Sequence, residues 1–474
     1  MKNRIAPVNR IPLEVFALIT DYADVADDDE DLIAMTHVCR IWREFFISRS
    51  SLWTNFDCES ADKTRVYLER SKTSPINLWL NRNSTPPVSD PLFQIIPHSV
   101  GRFKSLSITA GSEILRDIIA HLPPHAPLLE KLEIDGVLRS RAPHNPLVGA
   151  TLFDGDLSSM RVFRLERVRT ELPWRNMANL TLLVLRNVSL DSPSIRQLLD
   201  FFESAPRLRK IKLASPDPTA DDQSERLVSL ACLKRMELLN GPHSSRLLSH
   251  LFVPVDAKLT IWGESFQHII EHHLPRSLDN LRNISNVTKV HFRITNYTRI
   301  KLSGPSGQLS MSSGLDAAWS GLEALDRLDT SKIKWLEVAS RRRRPLTCPS
   351  YRGLLPLKNL RTLSLSRCIN PCTFMAALSP NMDASGAVPC PKLEEIILVS
   401  RTDAEDIDIK SMTKIAAARA SRGAKLRTIR IAGGKDKLDL GDVLELRKHV
   451  SNVECGPVVD VVDSDSDDSD EDFC

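Results

Sequence analysis

A frame of one apolar residue, two spacers, a second apolar residue, one spacer and a third apolar residue recurs along this 474-residue chain, and no other feature limits its fold as tightly. It reads FKSLSI at 103–108, LEKLEI at 129–134, MRVFRL at 160–165, LTLLVL at 180–185, LRKIKL at 208–213 and LKRMEL at 233–238. After a weaker copy, KLTIW at 258–262, it returns as VTKVHF at 287–292, IKWLEV at 333–338, LRTLSL at 360–365, LEEIIL at 393–398 and LRTIRI at 426–431. PINLWL at 75–80 reads as the first copy. Each copy alternates with the period of a strand, while stretches between copies, such as SPSIRQLLDFFESAP (192–206) and SFQHIIEHHL (265–274), carry helical spacing. One strand and one helix cannot bury an apolar face alone. Stacking the strands into a parallel sheet with outer helices on the other side does bury it, so the expected class is α/β.

These copies resemble a leucine-rich-repeat solenoid over residues 75–450. The asparagine that regular repeats carry after the strand is mostly missing; Asn187, after LTLLVL, is an isolated candidate. Spacing varies from 20 residues between the frames at Met160 and Leu180 to 46 between those at Val287 and Ile333, so the expected solenoid is irregular. In the long gap, Ile300 and Leu302 precede a GPSG turn and Leu309 and Met311 follow it, which predicts a hairpin inserted on the arc near 296–314. LDAAWSGLEALDRL (315–328) is expected as a helix.

Ahead of the repeats lies HVCRIWREFF (37–46), in which Val38, Trp42, Phe45 and Phe46 fall at helical spacing. Periodicity alone leaves open whether that stripe is a core or a surface for another protein. Upstream, Pro12 suits a first helical turn, and Leu13, Phe16 and Ile19 share a face. TDYADVADDDEDL (20–32) then places seven acids between Asp21 and Asp31, those nearest Leu32 being suited to the positive end of a second helix. Three short helices in so few residues bury too little surface to stand alone, so they need a partner surface from this chain or another.

The ordered set I-P-L-E-V at 11–15, an acidic stretch, Asp31-Leu32, V-C-R-I-W-R at 38–43 and Leu52-Trp53 resembles an F-box, and the continuation to residue 80 resembles the lead into irregular leucine-rich repeats in fungal, basidiomycete-like F-box proteins. The resemblance implies residues 10–56 as an F-box, 57–456 as the repeat solenoid, and a substrate receptor of a Skp-cullin-F-box ubiquitin ligase. The F-box would dock on a Skp-type adaptor, and through it a cullin, while the repeats present a protein substrate of unknown identity. On that reading Trp42 and Val38 hold the helices together, and Pro12, Leu13, Val15, Ile19, Leu32 and Cys39 contribute to the surface shared with the adaptor; all eight are candidate adaptor-binding positions. A scaffold, or an F-box protein acting outside a ligase, is the alternative. The acidic insert is longer than the usual link and is expected to loop out, since loop insertions cost little.

Composition bounds these readings. No apolar run approaches the roughly 18 residues of a membrane span, and MKNRIAPVNR lacks a signal-peptide core, so a soluble chain of the cytoplasm or nucleus is expected. Nine scattered cysteines make no disulfide framework. Residues 1–9 are expected to be flexible. The net charge of +3 hides a polarised chain, because from Asp460 to Cys474 there are eight acids and no base. Residues 457–474 are therefore expected as a disordered tail, in which Ser464, Ser466 and Ser469 lie as acidophilic-kinase substrates do.

Enzymatic signatures are weak. His268-Ile-Ile-Glu271-His272 matches HxxEH but lacks a third zinc ligand, and Cys368, Cys372 and Cys390 lack a CxxC pair. There is no GxSxG elbow or Rossmann glycine pattern, and AGGKDK (432–437) is not a phosphate-binding loop. A non-catalytic chain without cofactor or metal is expected. Arg341–Arg344 could serve nuclear import, an acidic site or a dock for the tail, or be a solvated loop; nucleic-acid binding is disfavoured by aromatics at only 5%. Arg164, Arg186, Lys212 and Arg430 alternate out of the frame as candidate substrate contacts, but any strand requires outward polar residues, and no substrate site follows from them.

Overall fold

The computed structural model describes residues 11–22, 29–58, 60–82, 96–137, 147–149, 152–155, 157–170, 174, 176–190, 195–214, 226–239, 244–263, 273–295, 297–305, 307–313, 325, 328–340, 354–366, 371–379, 388–399, 408–432 and 439–456. Two compact units divide the chain, Met1–Gly241 with His250–Phe252 and Pro242–Ser249 with Val253–Cys474.

The first unit begins with helices α1 (Leu13–Tyr22), α2 (Asp29–Val38) and α3 (Arg40–Ser48), then β1 (Asn55–Asp57), α4 (Ala61–Arg70), β2 (Ile76–Arg82) and β3 (Phe103–Gly111). There follow β4 (Lys131–Val137), β5 (Leu147–Val148), β6 (Val162–Glu166), β7 (Arg169–Thr170), β8 (Leu182–Arg186), β9 (Ser189–Leu190), β10 (Lys210–Ala214), β11 (Val228–Ser229), β12 (Arg235–Leu239) and β13 (Leu251–Phe252). The main sheet runs β1-β2-β3-β4-β6-β8-β10-β12, and every pair is parallel. Short ladders join β5, β7 and β9, and β11 with β13. Register sets the frames side by side: Phe163 stands opposite Leu132 and Leu183, and Ile211 stands opposite Leu183 and Met236. All five are buried, so one continuous apolar row runs under the strands.

The frame proves longer than its sequence suggests. In most copies the strand starts two residues into the frame, and in several of them the frame's first apolar residue closes a turn on an apolar residue three places earlier: Met160 N on Leu157 O, Leu180 on Met177, Leu208 on Ala205, Leu233 on Leu230, Leu360 on Leu357 and Leu393 on Cys390. All of those earlier residues are buried. In these copies a fourth apolar position therefore anchors the turn beneath the sheet, which accounts for Cys390 as a packed residue.

In the second unit the strands are β14 (Lys258–Trp262), β15 (Lys289–Ile294), β16 (Thr298–Ser303), β17 (Gln308–Ser313), β18 (Trp335–Ser340), β19 (Thr362–Ser366), β20 (Glu395–Val399), β21 (Thr428–Ala432) and β22 (Asn452–Gly456). Their order is β14-β17-β16-β15-β18-β19-β20-β21-β22; the pairs β15–β16 and β16–β17 are antiparallel and the others parallel. The hairpin is thus present but lies within the sheet, as two added strands between β14 and β15, rather than as an appendage to it. Its turn explains its glycines: a Cβ at Gly304 would strike the Asn286 carbonyl, and one at Gly307 the carbonyls of Val255 and Asn283.

Candidate functional site: an exposed apolar face on the N-terminal helices

Phe16, on α1, is the hub of the helical module's core. Its ring lies 4.8 Å from Trp42, 4.9 Å from Phe45 and 5.8 Å from Phe46, and Phe45 meets Phe46 edge-on at 5.3 Å. Such tilted and edge contacts suit aromatic quadrupoles. Leu32 and Phe46 are fully buried beside this cluster's helices. Polar ties fix the helix ends: Arg43 Nε donates to Thr36 O at 3.0 Å, near the end of α2, and Arg49 Nη1 donates to Thr20 Oγ1 at 3.4 Å.

Away from Phe16, the rest of α1 is also apolar. Leu13, Val15, Leu18 and Ile19 are between 44 and 68% exposed. Val15, Leu18 and Ile19 follow the i, i+3, i+4 spacing that places side chains on one helix face, and Glu14 is the one charged residue between Leu13 and Thr20. Ile33, Val38 and Ile41 add exposed apolar side chains on α2 and α3. Of the fifteen exposed large hydrophobic residues in the described chain, seven fall between Leu13 and Ile41, a local concentration of exposed apolar side chains.

The sequence-predicted positions divide accordingly. Pro12, Leu13, Val15 and Ile19 are exposed, with Pro12 O accepting the Phe16 amide at 3.0 Å in the first turn; Cys39 and Trp42 are half-buried. Two expectations are corrected. Leu32 is buried, at 0% exposure, and is not part of the exposed apolar surface. Val38, expected to hold the helices together, is 53% exposed. The cause is a backbone break: Cys39 is extended at φ −161°, ψ 172°, so α2 stops at Val38 and the helical phase joining Val38 to Trp42 is lost. Sequence reasoning missed Leu18, Ile33 and Ile41; for Leu18 the uncharged run from Val15 to Thr20 was the available signal.

Cys39 occupies the N-cap of α3 without a side-chain cap hydrogen bond. Cys39→Ser supplies a hydroxyl acceptor at a position where serine is worth about 1 kcal/mol, and a raised thermal midpoint by calorimetry is the expected result. An unchanged or lowered midpoint would show that the thiol's half-buried packing outweighs the cap.

On the sheets, the four outward basic residues are engaged with carboxylates of neighbouring strands. Arg164 lies 3.5 Å from Glu133, Arg186 3.6 Å from Glu166, and Arg430 3.3 Å from Glu395 and 2.9 Å from Glu454. Lys212 and Glu237 pair at 3.0 Å with each side chain only 7% exposed, so neither is a ready contact for a visitor. Asn187 has φ 52°, a turn conformation asparagine tolerates, and Arg167 takes φ 53° at the corresponding place after β6. The Arg167 guanidinium ties back to Gly136 O at 3.2 Å and to Asp135. Burial holds the Asp135 carboxyl above its ordinary value, against the pull of Arg167.

His268–His272, Cys368, the Cys372 side chain, Arg341–Arg344, residues 1–9 and residues 457–474 lie outside the described residues. Among the described residues no group of histidines, cysteines and carboxylates is arranged to hold a metal ion, and no helix is long and apolar enough to cross a membrane. Burial pushes the Cys390 thiol up to about 12, against the opposing charge of Arg419, which makes it a poor nucleophile at neutral pH.

What fold and site define together is a mixed α/β chain whose largely parallel sheets follow a helical module with an uncovered apolar face. No protein-family model matches the chain, and no curated protein is significantly similar to it.

Proposed function

We propose that the chain is the substrate-recognition subunit of a Skp-cullin-F-box ubiquitin ligase, its N-terminal helices docking on a Skp-type adaptor and its repeat sheets receiving the protein to be ubiquitinated. The observation that carries this reading is the Val15-Leu18-Ile19 face. A helix apolar all round is stable when all of it is covered, and among the described residues the core buries Phe16 while Val15, Leu18 and Ile19 stay exposed. The order of motifs read in the sequence names the cover as an adaptor.

Co-expression with a Skp-type adaptor tests the reading. Wild-type chain is expected to co-purify with adaptor, and Val15→Asp/Ile19→Asp to weaken that binding at least 100-fold, equivalent to about 2.7 kcal/mol. The thermal midpoint of the isolated chain should be unmoved, because both side chains already face water. Failure of the wild type to capture adaptor, or full capture by the double variant, overturns the assignment. Adaptor retained without cullin would place the protein outside a ligase.

A further inference from the structure

We infer that Ser74 is a phosphorylation site for a proline-directed protein kinase, and that its phosphate clamps the N-terminal helices to the strands that follow. Ser74 closes the turn between α4 and β2, its amide donating to Ser71 O at 3.0 Å. Lys72, Thr73 and Pro75 on this turn are exposed, and Ser74 is half-buried. Its hydroxyl crosses to the end of the helical module, donating to Ser50 Oγ at 3.0 Å. Pro75 disfavours helical backbone at Ser74, and β2 is already extended from Ile76. An extended serine followed by proline is the minimal element that such kinases accept.

Cations without a counter-charge surround this hydroxyl. Arg102, half-buried at the end of the turn Pro97–Arg102, forks onto Ser74 O with Nε at 3.1 Å and Nη2 at 3.0 Å. Its other bonds go to Ser71 Oγ at 2.6 Å and Leu68 O at 3.4 Å. The Lys72 ammonium donates to Ser48 O at 3.4 Å, two residues from the Ser50 that Ser74 contacts, and the Arg70 guanidinium lies over the Trp53 ring. All of these partners are neutral. Among the described residues none of Arg70, Lys72 and Arg102 is paired with a carboxylate, whereas Lys63 and Arg65, earlier on α4, meet Asp57 and Asp62. Glu69 is the one acid between Thr64 and Asn81. Burial holds Arg102 below the ordinary arginine value, with no anion to oppose that effect.

Phosphorylation supplies the missing anion. The transfer joins Ser74 Oγ to the γ-phosphorus of a nucleoside triphosphate, breaks that phosphorus's bond to the bridging oxygen, releases the nucleoside diphosphate and passes the hydroxyl proton to the kinase's base. The product carries nearly two negative charges and three acceptor oxygens where Ser74 had a single hydroxyl. Ser50 then turns from acceptor to donor, and Lys72 and Arg102 gain charge-assisted bonds in place of neutral ones. Because Ser48 and Ser50 lie at the end of α3 while Lys72 and Ser74 lie on the turn into β2, the phosphate ties one to the other.

The full chain incubated with ATP and a purified mitogen-activated protein kinase, then mapped by mass spectrometry, is expected to carry phosphate on Ser74; a folded chain left unmodified there overturns the assignment. A second chain carries phosphoserine in place of Ser74, installed during synthesis through an expanded genetic code. Its cleavage between Leu13 and Ser48 by limiting protease is expected to be about threefold slower than in the unmodified chain. By phosphorus NMR its phosphate should lose the second proton at lower pH than the same phosphoserine in a peptide of residues 68–80, and Lys72→Ala should narrow that difference. Lys72 is exposed, so this variant should fold as wild type by circular dichroism. Unchanged cleavage, or a phosphate that titrates alike in chain and peptide, overturns the clamp.

Discussion

Arg419→Ala should destabilise the second unit by about 3–5 kcal/mol, from buried carbonyls left without their donor together with a large cavity. Arg419 lies on the helix Ile409–Ser421 and is fully buried. Its partners are main-chain oxygens: Nη1 donates to Leu378 O at 3.3 Å and Pro389 O at 2.7 Å, and Nη2 donates to Cys390 O at 2.8 Å. Among the described residues it forms no ion pair with a carboxylate, and burial lowers its pKa below the ordinary arginine value. Alanine would leave three carbonyls without their donor and open a cavity of arginine size. Leu378 and Cys390 flank the segment between the helix Pro371–Ala376 and β20, so the loss should also loosen the turn from which β20 is launched. Arg419→Lys should recover only part of the stability, because one ammonium cannot reproduce a planar fork spanning separate carbonyls. Urea titration followed by circular dichroism gives the ranking; an alanine variant as stable as wild type would show that water replaces the guanidinium at no cost.

Arg419 also illustrates what one-dimensional reading can reach. The repeat frame located the strands because each copy is local, and three apolar positions among three spacers per copy suffice to show the period. The fourth apolar position, at Leu157, Met177, Ala205, Leu230, Leu357 and Cys390, was not legible, because it sits in a turn and tolerates residues from alanine to methionine. The GPSG hairpin could be recognised from its own residues. Its place inside the sheet could not, since β17 pairs with β14 and β15 with β18 across long stretches of chain. In the candidate interface, the apolar stripe around Trp42 was visible, but the extended Cys39 that removes Val38 from it left no sign in the periodicity. Leu32 shows the same limit from the other side: spacing marks a residue as apolar, and only packing decides which surface it faces.

Trp53→Ala should cost about 3–5 kcal/mol, as large-to-small substitutions of buried tryptophan do, and should release the N-terminal helices from the strands that follow. Trp53 ends the short turn Ser50–Trp53 and is fully buried. Its Nε1 donates at 2.8 Å to Phe46 O, one of the last-turn carbonyls of α3 that have no partner within the helix. Its ring meets Tyr67 of α4 edge-on at 4.9 Å, Tyr67 in turn lies 5.0 Å from Phe56 of β1, and the Arg70 guanidinium covers the indole at 4.2 Å. One side chain thus joins α3, α4 and the first strand of the sheet. Trp53→Phe keeps much of the ring packing but strands the Phe46 carbonyl, so it should lose about 1–3 kcal/mol and separate the hydrogen bond from the packing. Limited proteolysis provides the structural readout: cleavage between Leu13 and Ser48 should accelerate in Trp53→Ala while the later repeats remain protected. If the helices stay as resistant as in wild type, their attachment must rest on the weaker links, Lys72 Nζ to Ser48 O at 3.4 Å and Ser74 to Ser50 at 3.0 Å. On the proposed function, an apolar face on the N-terminal helices is useful only if the module bearing it is held to the strands that follow, and Trp53 is the residue placed to transmit that hold.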